Sequence, residues 1–351
     1  MAVAPLSVSV GASAAVSVAL SNVPAGGYTS AEFTCTYNGS LASAGNIVTG
    51  SLFGADAVAA INGPQNGSFI VAIAGSNGNK DTTSGNAFTF GLTGLQAGQT
   101  AITCTARVSN GDSQLVAIAF SPASLTITGN TPTPTRTVTS TAKPTATATA
   151  TAAITATTTA TIKAVTATPT ITATTAVSPT ATPTVTATRT SAPPVITSTA
   201  TSTASPTPTA TISGVGTLTG KVLAGKPVAV GLYRADKSLA TSVPANADGT
   251  FSLSAPAGSY IAVAAAPGFL SAQGAVTLTV GSSASLPTVS LVAGDIDNNN
   301  VIDQFDAMTI GMNYNTATPA TADLNKDGVI NVLDLEILAR NYRKTGPILW
   351  Q

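Results

Sequence analysis

Oxygen-bearing side chains recur at fixed spacing in two twelve-residue stretches, DIDNNNVIDQFD from Asp295 and DLNKDGVINVLD from Asp323. A calcium loop of this length offers oxygens at positions 1, 3, 5, 7, 9 and 12, with position 7 contributing a backbone carbonyl. In the first copy these are Asp295, Asp297, Asn299, the Val301 carbonyl, Asp303 and Asp306. In the second they are Asp323, Asn325, Asp327, the Val329 carbonyl, Asn331 and Asp334. Hard oxygen donors without His or Cys suit Ca2+ rather than zinc or copper, so two calcium sites are expected. One such stretch could be an acidic, Asn-rich surface turn; two aligned copies favour the metal.

Each loop must be held by the elements around it. Gly328 stands at the sharp turn of the second loop, and Asn300 replaces it in the first, tolerable because Asn accepts a left-handed backbone. A helix is predicted after each loop, since Ala307, Ile310 and Tyr314 share a face at helical spacing, as do Leu335, Leu338 and Tyr342. No helix leads in, and both loops close on Asp where an EF-hand has Glu. This duplicated loop-helix unit resembles a dockerin, the calcium-dependent plug of cellulosome-type assemblies. The resemblance implies a cohesin-bearing partner, contacted through the helices that follow the loops and through loop positions 10 and 11, here Gln304 and Phe305, then Val332 and Leu333. These depart from the Ser-Thr pair of well-known dockerins, and core packing is their competing role. The two loops are expected to bridge at Ile302 and Ile330, with Trp350 covering apolar surface between the helices.

Composition narrows the function classes. Charged residues make up 8% of the 351 and the net charge is zero, so no basic footprint for nucleic acid exists. The chain contains no His, the commonest general base, and half of its 14 acids lie in the calcium loops. The N-terminal region offers only Glu32, Asp56, Asp81 and Asp112 as acids, and no enzyme is expected. No apolar run is long enough for a membrane span. MAVAPLSVSV lacks the basic and apolar blocks of a signal peptide, so the reading is a removed signal or a fragment. Short Asp ligands suit calcium-rich surroundings, which points to a secreted or cell-surface location.

The predicted class is mainly β. Residues 1–130 alternate over about eight short strands, among them Leu6–Val10, Ala15–Leu20, Ala31–Tyr37, Ser68–Ala74, Ala87–Leu92, Thr100–Val108, Leu115–Phe120 and Ser124–Thr128, as in a β-sandwich or jelly roll. Cys35 and Cys104 lie within strands at immunoglobulin-like spacing and are expected to form a disulfide, two buried thiols being the alternative. The Trp that an immunoglobulin core needs between them is missing. The opening LSVSVGASAAVSVALSNVPAG, the strand YTSAEFTCTYN and the closing TARVSNGDSQLVAIAFSPASLTI resemble a cohesin, the dockerin's receptor, which makes dockerin-bearing proteins a second class of partner.

Residues 131–212 hold almost only Thr, Ala, Pro, Ser, Val and Ile and read as a disordered, extended Thr/Pro linker open to O-glycosylation. Residues 213–293 form a second small β-sandwich. Asp248-Gly249 marks a tight turn, Phe251 and Leu253 alternate inward, and Pro256-Ala257-Gly258 turns into another strand. This order resembles the carboxypeptidase-regulatory-like sandwich, expected to dock on the paired calcium loops of residues 294–351, an independent spacer bead being the alternative. The whole reads as a secreted, non-catalytic scaffold or adaptor of polysaccharide-degrading or cell-surface assemblies. Its receptor-like and plug-like ends are expected not to bind each other tightly, because a scaffold avoids self-recognition. The alternative is an adhesin or carbohydrate-binding protein gripping polysaccharide through Tyr28, Tyr37, Phe53 or Phe69.

Overall fold

The structure is a computed structural model that describes residues 1–129 and 214–351. The expected linker at 131–212 lies outside the described residues. No helix among the described residues is long and apolar enough to cross a membrane.

Eleven strands build the first sandwich: β1 (Ala2–Ala4), β2 (Ser7–Ser9), β3 (Ser13–Leu20), β4 (Ser30–Thr36), β5 (Ala42–Thr49), β6 (Val58–Gln65), β7 (Ser68–Ala74), β8 (Gly85–Gly94), β9 (Gly98–Ser109), β10 (Val116–Ile118) and β11 (Ala123–Thr128). One sheet runs β1-β3-β8-β5 and the other β2-β11-β9-β4-β7-β6, with β10 on β9. Alternation drives the packing: Val16, Val18 and Leu20 of β3 point inward while Ser13, Ala15 and Ala19 face out. Between the sheets Phe33, Phe69, Phe88 and Phe90 form an aromatic core, with Phe69 edge-on to Phe90 at 4.9 Å.

Cys35 and Cys104 are bonded. They are directly paired on neighbouring strands β4 and β9 of one sheet, not across two sheets as in an immunoglobulin. Phe53 and Phe69 are each only 2% exposed, and Tyr28 and Tyr37 pack against the same core, the Tyr37 hydroxyl accepting from the Ala44 nitrogen at 3.1 Å. These four rings therefore form no open stacking platform for a sugar.

The second sandwich comprises β12 (Val215–Leu223), β13 (Ala229–Tyr233), β14 (Leu239–Pro244), β15 (Thr250–Pro256), β16 (Gly258–Ala265), β17 (Ala272–Leu278), β18 (Ser283–Ser285) and β19 (Val289–Ser290). One sheet runs β15-β12-β18, with β19 also on β12. The Asp248-Gly249 turn needs its glycine: φ is +85° there, and a Cβ would meet the Val222 carbonyl oxygen at 2.2 Å. The other sheet, β14-β13-β16-β17, takes in a last strand from far along the chain, β20 (Ile348–Leu349), parallel to β17. Trp350 follows it into this core, 5.6 Å from the Phe251 ring, and its indole nitrogen donates to the Pro287 carbonyl at 2.8 Å. Trp350 therefore does not cover the helices as the sequence reading expected. The short run after the helices is drawn back by a neighbouring sheet edge, which no local pattern announces.

Two helices follow the calcium-type loops, α1 (Gln304–Met312) and α2 (Val332–Ala339). The second sandwich reaches this region through several contacts. The Lys226 ammonium donates to the Ala320 and Thr321 carbonyls at 2.6 and 3.1 Å, and the Ser271 hydroxyl donates to the Asn300 side-chain oxygen at 2.8 Å.

Candidate metal centre and docking face

Each loop is tied by its own side chains in the same way. Position 12 closes it: Asp306 Oδ1 accepts from the Ile296 and Asp297 nitrogens at 2.7 and 3.1 Å, and Oδ2 from the Asp303 nitrogen at 2.9 Å. Asp334 repeats this with Leu324, Asn325 and Asn331 at 2.7, 3.2 and 2.9 Å. Position 9 caps the helix, Asp303 accepting from the Phe305 nitrogen and Asn331 from the Leu333 nitrogen, which completes a reciprocal capping box at each helix start. A shorter acid than Glu suffices at position 12 because the carboxylate sits directly under the loop backbone.

The backbone turns where the sequence reading placed the turns, with φ of +64° at Asn300 and +88° at Gly328. It also turns left-handed at position 4, at Asn298 (+64°) and Lys326 (+63°), which the sequence reading missed. The expected Ile302–Ile330 bridge does not form. Ile302 instead exchanges backbone hydrogen bonds with Arg343 and Lys344 beyond α2, and Ile330 with Asn315 and Thr316 beyond α1. Each loop is thus stitched to the exit of the other helix, leaving the two isoleucine side chains buried between them.

The donor set fits calcium on observations of its own. Asp295, Asp297 and Asp306 each bring a carboxylate oxygen within 4.8 Å of the others. In the second loop Asp323 Oδ2 accepts from the Gly328 nitrogen at 3.1 Å, while its Oδ1 is buried without a hydrogen-bond partner, an orphan that a cation would satisfy. Burial pushes the Asp306 and Asp334 carboxyls up to about 6 and raises Asp295 as well. With no cation, the folded chain keeps protons on Asp306 and Asp334 between the ordinary carboxylate value of 3.8 and about 6, where the unfolded chain has released them. The metal-free fold therefore gains stability as pH falls through that window and loses it as pH rises. Calcium requires the deprotonated groups, so its affinity is expected to fall by roughly tenfold per pH unit below about 6. Calcium titrations at several pH values check this; an affinity flat across the window would contradict it.

The helices display a second surface. Val58, Ala60, Ala72 and Ala74, on the outer face of β6 and β7, share one apolar cluster with Ala307, Ile310, Tyr314, Val332, Leu335 and Leu338. Around it the Asn62 amide donates to the Gly311 carbonyl at 2.8 Å, and the Gln304 amide to the Ala59 carbonyl at 3.0 Å. The Tyr314 hydroxyl donates to buried Glu32, which Arg107 also holds, and the Ser30 hydroxyl donates to buried Glu336 at 3.2 Å, which Arg340 holds. Arg343 pairs with Asp56 at the rim, at 3.1 Å. The two ends, expected to ignore each other, are in contact.

Of the four residues first placed at a partner face, Gln304 reaches the sandwich, Phe305 is exposed, Val332 is buried among the helix contacts and Leu333 is half-buried. Sequence reasoning missed Gly311, Tyr314 and Glu336 as contact residues. For Tyr314 a signal existed, the Asn-Tyr pair repeated at Asn341-Tyr342; for Gly311 and Glu336 none did.

The chain has likenesses among solved structures, and one segment of it matches a family model. The sandwich is similar to a cohesin module from a Clostridium perfringens family 33 glycoside hydrolase, at 17% identity over 36% of this chain and 95% of that one, with a TM-score of 0.33. It is similar to the sixth cohesin of scaffoldin B from Acetivibrio cellulolyticus, solved in complex with a dockerin, at 17% identity over 36% and 96%, TM-score 0.31. A type I cohesin–dockerin complex from Clostridium thermocellum matches at 18% identity over 36% and 96%, TM-score 0.31. No curated protein matches the chain. Residues 293–341 match the family model of the dockerin type I domain, and with its paired loops, capped helices and calcium-type donors this segment of the chain is a dockerin-type, calcium-binding docking domain.

Proposed function

We propose that this protein is a secreted, non-catalytic scaffold or adaptor that engages β-sandwich partners through α1 and α2 once both loops hold calcium. The observation that carries it is the seating of both helices on a β-sheet face, with loop positions 9 and 12 capping those same helices. When bound, calcium supplies the positive charge that holds the crowded carboxylates together. Asp295, Asp297, Asn299, Val301, Asp303 and Asp306 hold one ion, and Asp323, Asn325, Asp327, Val329, Asn331 and Asp334 the other. Asp306 and Asp334 relay each loop's shape to its helix by accepting from the N-cap nitrogen. A disulfide in the sandwich and calcium loops built from Asp and Asn support an oxidising, calcium-rich setting outside the cell. The setting we propose is a polysaccharide-degrading or cell-surface assembly, as the resemblance to dockerins implies.

The test is capture of cohesin-type sandwich proteins on the immobilised chain, with calcium and with chelator. The bait carries Ala60→Arg, so that its own sandwich face does not compete. Calcium-dependent retention is expected; equal retention in both buffers would overturn the reading.

A further inference from the structure

We propose that the receptor of the dockerin-type helices is the β4-β7-β6 face of this same chain, so that the calcium-loaded protein is a self-closed monomer. The proposal rests on the docking reading above and names the partner.

Three features make the contact a matched interface rather than an incidental touch. The first is a close backbone approach. A Cβ at Gly311 would stand 2.7 Å from the Ile61 carbonyl oxygen and 2.8 Å from its nitrogen, so α1 lies on β6 only because this residue has no side chain. The glycine costs helix propensity, and nothing within the helix itself calls for it.

The second is a reciprocal exchange of buried carboxylates. The sandwich contributes Glu32, 4% exposed, to Tyr314 of the helical end, and the helical end contributes Glu336, also 4% exposed, to Ser30 of the sandwich. Each carboxylate carries its own arginine, Arg107 or Arg340, so each half brings a neutralised acid and receives a hydroxyl donor. A receptor without Glu32 would leave Tyr314 with a buried unpaired hydroxyl, which selects against strangers.

The third is apolar continuity. Val58, Ala60, Ala72 and Ala74 are at most 1% exposed, although they face away from the sandwich's own core, and they share one apolar cluster with the helices and the loops that carry them. Small residues on the strands meet larger ones on the helices, which lets the elements approach closely.

Tethering decides between closure in one chain and head-to-tail assembly. About 82 residues, 131–212, lie between the first sandwich and the second, and the second contacts the helical end. An intramolecular contact across such a tether faces an effective concentration on the order of a millimolar. A second copy at micromolar concentration is outcompeted by roughly a thousandfold, so closure within one chain wins. The latch also masks the receptor face and the plug face from outside partners until one displaces the other.

The test uses the full chain with a site-specific protease sequence inserted within residues 131–212. In calcium the uncut chain should sediment as a monomer at micromolar concentration, and the cut halves should stay together. In chelator the halves should separate. Gly311→Ala, which raises helix propensity, and Ala60→Arg, on the sandwich's outer face, should each weaken association of the halves by roughly a hundredfold or more, while the variant chains still bind two calcium ions, at an affinity lowered only by the lost coupling to docking. Wild-type halves that separate in calcium while both loops still bind it would overturn self-closure and leave the docking reading standing. Loss of calcium binding itself would instead count against the docking reading. Oligomers that grow with chain concentration would replace closure by assembly between copies.

Discussion

Chelating calcium is expected to abolish most of the helical signal of α1 and α2 and to release the helices from the sandwich. Without a cation the first loop crowds three carboxylates, and in the second Asp323 keeps a buried oxygen with no partner. At a hundredfold excess over its dissociation constant, each bound ion adds about 2.7 kcal/mol to the folded state, so two sites contribute on the order of 5 kcal/mol. That equals the whole stability of many small domains. The helices are 9 and 8 residues long, too short to persist alone in water. Circular dichroism melts in calcium and in chelator measure the effect. Asp295→Ala and Asp323→Ala should each give an intermediate melt, because each removes position 1 of one loop. Coincident melts in the two buffers would contradict the expectation.

The disulfide should produce the second large effect. Cys35 and Cys104 are 69 residues apart, and on the loop-entropy model their bond is worth about 4 kcal/mol. Reduction, or Cys35→Ser with Cys104→Ser, is expected to lower the sandwich melting temperature by on the order of 10–20 °C. The sandwich should remain folded, because its aromatic core lies between the sheets while the disulfide lies within one of them. Docking should then persist in the reduced chain at moderate temperature. A melting point unmoved by reduction would show that the bond constrains little.

What was legible in the sequence was what local chemistry dictates. The calcium loops could be read because each ligand position demands an oxygen at a fixed offset, and duplication doubled the pattern. The turns at Asn300, Gly328 and Gly249 could be read because few residues tolerate positive φ. Strands such as β3 and β9 showed clean alternation. By contrast β6 was missed, since Asn62-Gly63-Pro64 breaks its pattern, and β6 turned out to carry the docking face. Its alanines and valine looked like ordinary strand residues, and nothing local said that both of its faces would be covered. The contact residues Gly311 and Glu336 were silent for a related reason. A helical glycine and a surface-type acid acquire meaning only from Ile61 and Ser30, some 250 and 306 positions away. Trp350 was misplaced likewise, its partner Phe251 lying in another sandwich.

Calorimetric titration of calcium into the metal-free full chain bears most directly on the paired loops. Two ions per chain are expected, with Asp295→Ala and Asp323→Ala each reducing the count to one, and the double variant binding none. A wild-type count of zero, or a count unaffected by either substitution, would contradict the calcium-dependent docking domain.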